Sequence, residues 1–367
     1  MMKKRLVLLL AVVMVFAAGL SACGGGGGNE SASDEEAAAE ADGEAVVDDT
    51  VYEFKMDIPD PPESIVGTFV YKWVEDVQAA SNGRIVITVY PSSQLGAVPD
   101  IIDNLKNGVS DIAWASPAMF SGRFPVMEGT NLPMLDIPDS KAGTDLLYDL
   151  YEQTDLMQKE FDGLHPLMLY NACQYYFATA KGGKQINSLA DLKGLKIRAQ
   201  GTYPSILIRE LGGEPISLHA SEVYESLSKN VLDGMLSDLT TYKTWKLDEV
   251  TGHVVESQIY RFCAFLLMNP DAYAKLPDDL KAVLDSFSGR EAAYGFGDAF
   301  TTGAETGIEL YRAAGATTSE FSEEDLAKID AAAQVVNDQW ITDMDAAGYD
   351  GQAVLDTYNE LLANINS

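Results

Sequence analysis

The sequence predicts an α/β protein with two lobes, and three observations carry that prediction. Strands rich in β-branched residues alternate with helical patterns between residues 51 and 116. The chain from Thr50 onwards is long enough for two lobes. Two later apolar runs, residues 163–180 and 261–268, have the composition of strands buried on both faces, and we interpret them as crossings between the lobes. The pattern favours a parallel α/β sheet with its ligand crevice at the carboxyl ends of the strands.

The chain begins with a targeting pattern. Lys3, Lys4 and Arg5 precede an apolar run that is too short for a membrane-spanning helix, and a Leu-Ser-Ala-Cys box then ends at Cys23. This is typical of a bacterial lipoprotein signal peptide over residues 1–22. An uncleaved anchor helix is the alternative. Diacylated Cys23 would tether the mature protein to a membrane surface.

Residues 23–49 are predicted to form a flexible acidic tether, because they contain five consecutive glycines, no lysine or arginine, and almost nothing to bury. The whole chain carries a formal net charge of −31, which makes nucleic acid an unsuitable partner. Any site for an anion must therefore be a local island of positive charge.

The first lobe is predicted from five elements in order. The patterns indicate strands at residues 51–56, 84–90 and 112–116, separated by helices at 68–80 and 97–107. Trp114 and Ser116 lie at the carboxyl end of the third strand and are candidate binding residues. A core tryptophan and a loop serine are the alternative.

The first crossing, residues 163–180, is apolar and aromatic. It contains Gln174, Tyr175 and Tyr176 in succession. Packing between the lobes, with the hydroxyl at solvent, is one role open to the two tyrosines.

A single arginine follows the crossing at the end of a short strand. Ser188 is predicted to cap a one-turn helix with Asp191 at its third position, and Gly194 can end that turn in the left-handed conformation. Alternation along the next strand then sends Lys196 and Arg198 to the same face. Arginine binds a carboxylate through a planar two-bond fork. A surface or inter-strand ion pair is the alternative for Arg198.

Several motifs resemble one transporter family. They are Asp-Leu-Lys-Gly-Leu-Lys-Ile-Arg at 191–198, Ala-Ser-Glu-Val-Tyr-Glu-Ser-Leu at 220–227, Asn-Val-Leu-Asp-Gly at 230–234, Pro-Ser-Ser-Gln-Leu-Gly at 91–96 and Asn-Gly-Val-Ser-Asp-Ile-Ala at 107–113. The chain resembles the extracytoplasmic solute-binding subunits of tripartite ATP-independent periplasmic (TRAP) transporters, the dicarboxylate-binding-protein family, to about residue 350.

The resemblance implies a two-lobed periplasmic-binding-protein-like fold with crossing strands and long bridging helices. It also implies that Arg198 clamps the carboxylate of a small organic acid, and that the partner is the membrane permease. No cofactor is expected, and the location is periplasmic or extracytoplasmic, with a lipid on Cys23 as the anchor.

Two departures from the family pattern bear on the ligand. The crossing strand often adds a second arginine in this family, where this chain has Gln174, Tyr175 and Tyr176. The resemblance thus makes these three residues candidates for the lining of an aromatic binding site. The family's asparagine and following proline are missing near Ser237 and Asp238.

A hydroxyl and an acid at that place can accept bonds from a ligand hydroxyl or ammonium, whereas capping of a helix at 240–245 is the alternative for Asp238. We therefore expect an aromatic or amino-acid-like monocarboxylate, with Tyr203 and Trp245 as further aromatic candidates. A dicarboxylate or sugar-acid receptor remains open.

The rest of the chain completes the predicted organisation. Second-lobe helices are expected at 205–211 and 221–229, followed by a strand at 232–238, and the chain beyond residue 277 is mostly helical with a capped helix opening at Ser322. The predicted boundaries are lobe 1 at 50–172 plus 262–300, lobe 2 at 173–261 plus 301–350, and a C-terminal helix at 351–367.

No catalytic motif accompanies the three histidines, so an enzyme acting on an acidic metabolite is the weaker alternative. Cys173 and Cys263 both fall on predicted crossings. Two free buried thiols and a disulfide are both compatible with the sequence.

Overall fold

The computed structural model describes residues 49–133 and 135–367, apart from the side chain of Cys173. The predicted signal peptide, the acidic tether and Cys23 lie outside the described residues, except for Asp49 at the end of the tether. In the described part of the chain, no helix is both long and apolar enough to cross a membrane.

The strands of the described residues form one sheet. They are β1 (Tyr52–Asp57), β2 (Ile85–Tyr90), β3 (Ile112–Ala115), β4 (His165–Ala180), β5 (Lys196–Ala199), β6 (Glu214–Ser217), β7 (Gly234–Asp238), β8 (Thr251–Met268) and β9 (Thr317–Ser319). Their order is β2-β1-β3-β8-β4-β7-β5-β6, and β9 pairs with β8.

The sheet is parallel at its two ends and antiparallel in the middle. β1 runs parallel to β2 and β3, and β5 runs parallel to β6 and β7. The long strands β4 and β8 are antiparallel to each other and to β7 and β3 respectively. The prediction of a parallel sheet is therefore correct for each end and wrong for the centre, because one crossing strand leaves the first lobe and the other returns to it.

Thirteen helices of the described residues cover the sheet. They are α1 (Ile65–Ala80), α2 (Ile101–Lys106), α3 (Pro125–Gly129), α4 (Ser140–Gln153), α5 (Leu156–Glu160), α6 (Thr202–Glu210), α7 (Ala220–Ser228), α8 (Thr241–Trp245), α9 (Pro270–Ala274), α10 (Asp278–Ser286), α11 (Gly289–Ala313), α12 (Glu323–Ala346) and α13 (Gly351–Ile365). The predicted elements are present, most with bounds shifted by one to three residues.

The capped turn and the left-handed glycine that were predicted before Arg198 are confirmed. A short 3₁₀ turn at Leu189–Leu192 carries a reciprocal capping box between Ser188 and Asp191. Gly194 has φ 74°, a left-handed conformation that costs glycine little. The turn directs the chain into β5, so Arg198 comes to the carboxyl end of that strand.

Helix α11 contacts both ends of the molecule, as expected for a bridging helix. A Cβ on Gly297 would lie 2.2 Å from Ser140 Oγ, and one on Gly307 would lie 2.1 Å from the Leu239 carbonyl oxygen. The two glycines therefore allow α11 to pack closely on the first lobe and on the loop after β7. The fold is the predicted two-lobed α/β type, while the residue boundaries of the lobes stay a prediction.

Candidate ligand-binding site

A cavity lies where β1, β3, β5, β6 and β7 reach their carboxyl ends, as predicted for the crevice of this sheet. Its lining includes Asp60, Trp114, Tyr175, Arg198, Gln200, His219, Ser237, Asp238, Thr240, Trp245, Phe262 and Phe300. The free interior volume is about 50 Å³. The cavity is narrow in this conformation, so a ring-sized ligand enters it only as the surrounding side chains or the lobes move apart.

Arg198 is held rigidly in the cavity wall. Its side chain is 1% exposed. Nε donates to the Leu218 carbonyl oxygen at 3.0 Å, Nη1 to Ser237 Oγ at 3.3 Å, and Nη2 to Gln200 Oε1 at 2.9 Å. A guanidinium has five N–H donors, and these three bonds leave donors on the terminal nitrogens for a ligand.

The charge of Arg198 has no close counter-ion in the described part of the chain, where no carboxylate oxygen lies within 4.0 Å of it. Burial lowers the pKa of Arg198, and the nearby Tyr175 and Asp238 oppose that shift. Arginine nevertheless remains protonated in proteins. The ion-pair alternative for Arg198 is therefore wrong, and the site presents a buried cation that an anionic ligand can neutralise.

Asp238 lines the cavity and also holds the turn that follows β7. Its Oδ1 accepts a bond from Thr240 N at 3.0 Å and a second one from Thr240 Oγ1. Burial raises the pKa of this carboxyl, and the Thr240 bonds and Arg198 counteract the increase. The capping alternative is wrong, because the N-cap of α8 is Thr240; the Asp238 carboxyl holds the turn before that helix and also faces the cavity.

Asp60 is a cavity residue that the sequence analysis did not single out. It follows β1, is half-buried, and receives no side-chain hydrogen bond from the described residues. Burial, with a contribution from Asp238, raises the pKa of Asp60 to about 7. The carboxyl-end rule that identified Trp114 could also have identified Asp60.

Only the middle residue of the predicted Gln174-Tyr175-Tyr176 set reaches the cavity. The Tyr175 ring lies 5.8 Å from the Tyr260 ring and 6.3 Å from the Phe262 ring. Gln174 and Tyr176 instead line a separate cavity on the other face of the crossing strands, beside Arg261. Successive strand residues point to opposite faces, so all three could not share one site, and the interpretation of Gln174 and Tyr176 needs correction.

Of the two first-lobe candidates, one lines the cavity and the other does not. Trp114 lines the cavity, and its Nε1 donates to Tyr170 Oη at 2.6 Å. Ser116 is fully buried away from the cavity, where its Oγ donates to the Cys263 carbonyl oxygen at 2.9 Å. Its hydroxyl therefore joins β3 to β8, as in the structural alternative.

Of the two further aromatic candidates, only one lines the cavity. Trp245 lines the cavity. Tyr203 donates from its hydroxyl to Asp343 Oδ2 at 3.2 Å on α12 and does not line it. His219, Gln200, Phe262 and Phe300 line the cavity without having been identified from the sequence, because they belong to a turn, a strand exit and long elements with no motif of their own.

Cys263 is a free, buried thiol, so the disulfide alternative is wrong. Asn131 Nδ2 donates to its sulfur at 3.0 Å. Burial raises the pKa of the thiol to about 12, which makes it unreactive.

The fold and the cavity define a two-lobed receptor for a small anionic solute. Residues 58–343 match the model of the DctP family, described as bacterial extracellular solute-binding protein, family 7, and the chain belongs to this family. The predicted resemblance to TRAP solute-binding subunits is therefore confirmed, and the protein is an extracytoplasmic solute-binding subunit of the TRAP type.

Three similar proteins illustrate the relationship. The sialic acid-binding periplasmic protein SiaP of Vibrio cholerae is 27% identical over 242 residues, which cover 63% of this chain and 70% of that protein. A TRAP solute-binding protein from Rhodoferax ferrireducens, solved with copurified benzoate, has a TM-score of 0.80 and 29% identity over 86% of this chain and 99% of its own. A marine metagenome protein specific for aromatic acids, solved with 3-hydroxybenzoate, has a TM-score of 0.80 and 28% identity over 87% of this chain and 100% of its own.

Proposed function

We propose that this receptor binds an aromatic monocarboxylate and delivers it to the membrane permease of a TRAP transporter. The observation that carries the proposal is Arg198, a buried cation in an aromatic-walled cavity without a carboxylate partner among the described residues. Additional support comes from the two similar structures that hold benzoate and 3-hydroxybenzoate.

The charges that line the cavity favour one carboxylate over two. Arg198 is the only arginine or lysine among the described lining residues. Burial and the charge of Arg198 lower the pKa of His219, so at neutral pH this histidine adds no second cation. A second ligand carboxylate would lie near Asp60 or Asp238 without a counter-ion, which costs several kcal/mol of desolvation and repulsion.

The cavity wall favours an aromatic body. Trp114, Tyr175, Trp245, Phe262 and Phe300 all contribute to it. Aromatic rings prefer offset-stacked or edge-to-face contacts, which are worth about 0.5–1.5 kcal/mol beyond the area they bury. A planar acid gains these contacts while its carboxylate meets Arg198.

Ligand binding would couple to lobe closure. By the predicted boundaries, Arg198 and Asp238 belong to the second lobe, and Asp60 and Trp114 belong to the first. A ligand that touches all four is bound fully only when the lobes are closed, and it stabilises that state by its differential affinity. The permease can then distinguish loaded from empty receptor.

The remaining parts of the proposal concern where the receptor is located and whether it catalyses a reaction. The diacylated Cys23 would hold the receptor at a membrane surface, with the acidic tether as a flexible spacer. The protein would act as a binding subunit with no reaction of its own, in keeping with the receptors of its family.

A thermal-shift panel tests the ligand class. Benzoate and indole- or phenyl-substituted acids should raise Tm, whereas succinate and malate should not. Benzamide, which keeps the ring and loses the charge, is the matched control and should have no effect. Stabilisation by succinate or malate, with none from the aromatic acids, would leave a dicarboxylate receptor in place of the one proposed.

A further inference from the structure

Two carboxyl groups face the ligand cavity from different parts of the fold. Asp60 lies in the loop after β1, and Asp238 lies at the end of β7. In sheet order these strands stand on opposite sides of the crossing strands β8 and β4. The cavity therefore has one acid, Asp238, on the strand next to the one that carries Arg198, and the other, Asp60, across the crossing strands.

The protein gives these acids few donors. Asp238 accepts its two side-chain bonds from Thr240, both on Oδ1. Among the described residues none donates to the Asp60 side chain, and none pairs with it as a cation. The Asp60 oxygens are therefore available to a donor on a ligand, and a ligand that covers them without supplying a donor leaves an acceptor unsatisfied.

Arg198 and His219, two other titratable residues of the cavity, donate no hydrogen bond to Asp60 or Asp238. Arg198 donates hydrogen bonds to Leu218, Gln200 and Ser237. His219 is occupied at the start of α7, where its Nδ1 lies 3.0 Å from Ser221 Oγ. Burial and Asp238 raise the pKa of Asp60, so Asp238 is close enough to influence the ionisation of Asp60.

We propose that Asp60 and Asp238 form an acceptor pair that selects, among monocarboxylates, those that carry a hydrogen-bond donor in addition to the carboxylate. This inference rests on the proposed function and narrows its substrate class. The donor is a hydroxyl or an ammonium group, because both can bond to a carboxyl oxygen.

The size of the selection follows from the cost of an unsatisfied acceptor. Sites built to bond a ligand hydroxyl or amine reject the analogue that lacks it more strongly than apolar pockets reject a missing methylene. An affinity ratio of about tenfold or more is therefore expected between a ligand with the donor and its unsubstituted partner.

Calorimetric titration of the intact soluble receptor with matched pairs tests the proposal. The pairs are 3-hydroxybenzoate with benzoate, for a hydroxyl donor, and phenylalanine with 3-phenylpropionate, for an ammonium donor. In at least one pair the member with the donor should bind about tenfold more tightly or better. The pair that shows the ratio identifies the donor.

Variants then test whether the affinity ratio within each pair depends on the two acids. Asp60→Ala should reduce the ratio to about threefold or less while the unsubstituted acid keeps its affinity, because the Asp60 side chain holds no other part of the fold. Glu53→Gln, at an exposed position of β1, is the control and should keep the ratio.

Failure of this inference is distinguishable from failure of the proposed function. Equal affinities within both pairs, or an equal loss for both members in Asp60→Ala, would overturn the acceptor pair. The receptor proposal would survive either result if Arg198→Ala lost both members. If Arg198→Ala kept them, the proposed function would fall, and this inference with it.

Discussion

At the scale of single residues, Arg198 combines a structural cost with a binding function. A buried charge normally needs a partner, and an arginine held only by neutral acceptors retains a net positive potential. Its position could be predicted, since the capping box and Gly194 fix where β5 begins and alternation fixes its face. Its lack of a counter-ion could not be predicted, because that depends on which loops surround the strand end.

Asp60 makes the affinity for an unsubstituted aromatic acid depend on pH. Its pKa of about 7 means that it is neutral below that pH and negative above it. Benzoate should therefore bind more weakly at pH 8 than at pH 6, since the new negative charge in the cavity repels the ligand carboxylate. Arg198 stays charged at both pH values.

Calorimetry at both pH values with wild-type protein and Asp60→Asn checks this dependence. The asparagine variant should show a clearly smaller change, because it cannot ionise. An identical pH dependence in both proteins would mean that another group is responsible.

At the scale of elements, the crossing strands explain why Gln174 and Tyr176, two of the eight predicted binding residues, were misplaced. Residues 174–176 were predicted to lie on a strand, but the sequence did not indicate which of their side chains face the cavity. In β4 the pairing with β8 shifts between Asn171 and Gln174 and again between Tyr175 and Phe177. Bulges of this kind change which side chains share a face, and the sequence carries no signal for them.

The phase of β4 leads to a paired prediction. Tyr175→Ala should weaken binding of the aromatic ligand by about tenfold or more, because it removes a ring from the cavity wall. Tyr176→Ala should change affinity by less than about threefold, since Tyr176 lies on the other face and accepts a bond from Gln258 Nε2 at 3.1 Å. Titration of both variants, with circular dichroism to verify folding, makes the comparison. Equal losses would contradict the assigned phase.

At the scale of the whole molecule, the succession of strands and helices was predictable and the arrangement of the two lobes was only partly so. Periodicity identified the first five elements of the first lobe but not α3, α4 and α5, and the apolar runs identified both crossings. Asp60 could have been identified by its place after the carboxyl end of β1, but its proximity to Asp238 could not, because that depends on how two distant loops are arranged.

Several buried acids should make the unliganded protein less stable as pH rises. Burial raises the pKa of Glu128 to about 7 and that of Glu160 to about 8. The folded state therefore holds more protons than the unfolded chain, and stability falls as these protons are lost. The lowered pKa values of His165 and His219 act oppositely only below about 6.5, the ordinary value.

The window for this effect is thus about pH 6.5 to 8. Each excess bound proton corresponds to about 1.4 kcal/mol per pH unit, or a few degrees in Tm for a protein of this size. Glu160→Gln should reduce the slope, and the exposed Glu225→Gln should leave it unchanged. A Tm that rises through this window in the wild type would refute the prediction.

The predicted lipid anchor can be tested independently of the ligand. Cys23→Ser should release soluble protein that keeps its ligand affinity, because the predicted tether contributes no core residue. Fractionation after salt and alkaline washing, followed by titration, measures both properties. Retention of the variant in the membrane fraction would indicate that the first residues form an anchor helix.

The most direct test of the account is calorimetric titration of the best aromatic acid into wild-type protein, Arg198→Lys and Arg198→Ala. Lysine keeps the charge and loses the two-bond fork, and the alanine variant loses both. We predict that both variants remain folded and that affinity falls in each, with the alanine variant losing about 2–5 kcal/mol, which corresponds to tens to thousands of fold. Near-wild-type affinity in Arg198→Ala would contradict the central claim that this arginine binds the ligand carboxylate.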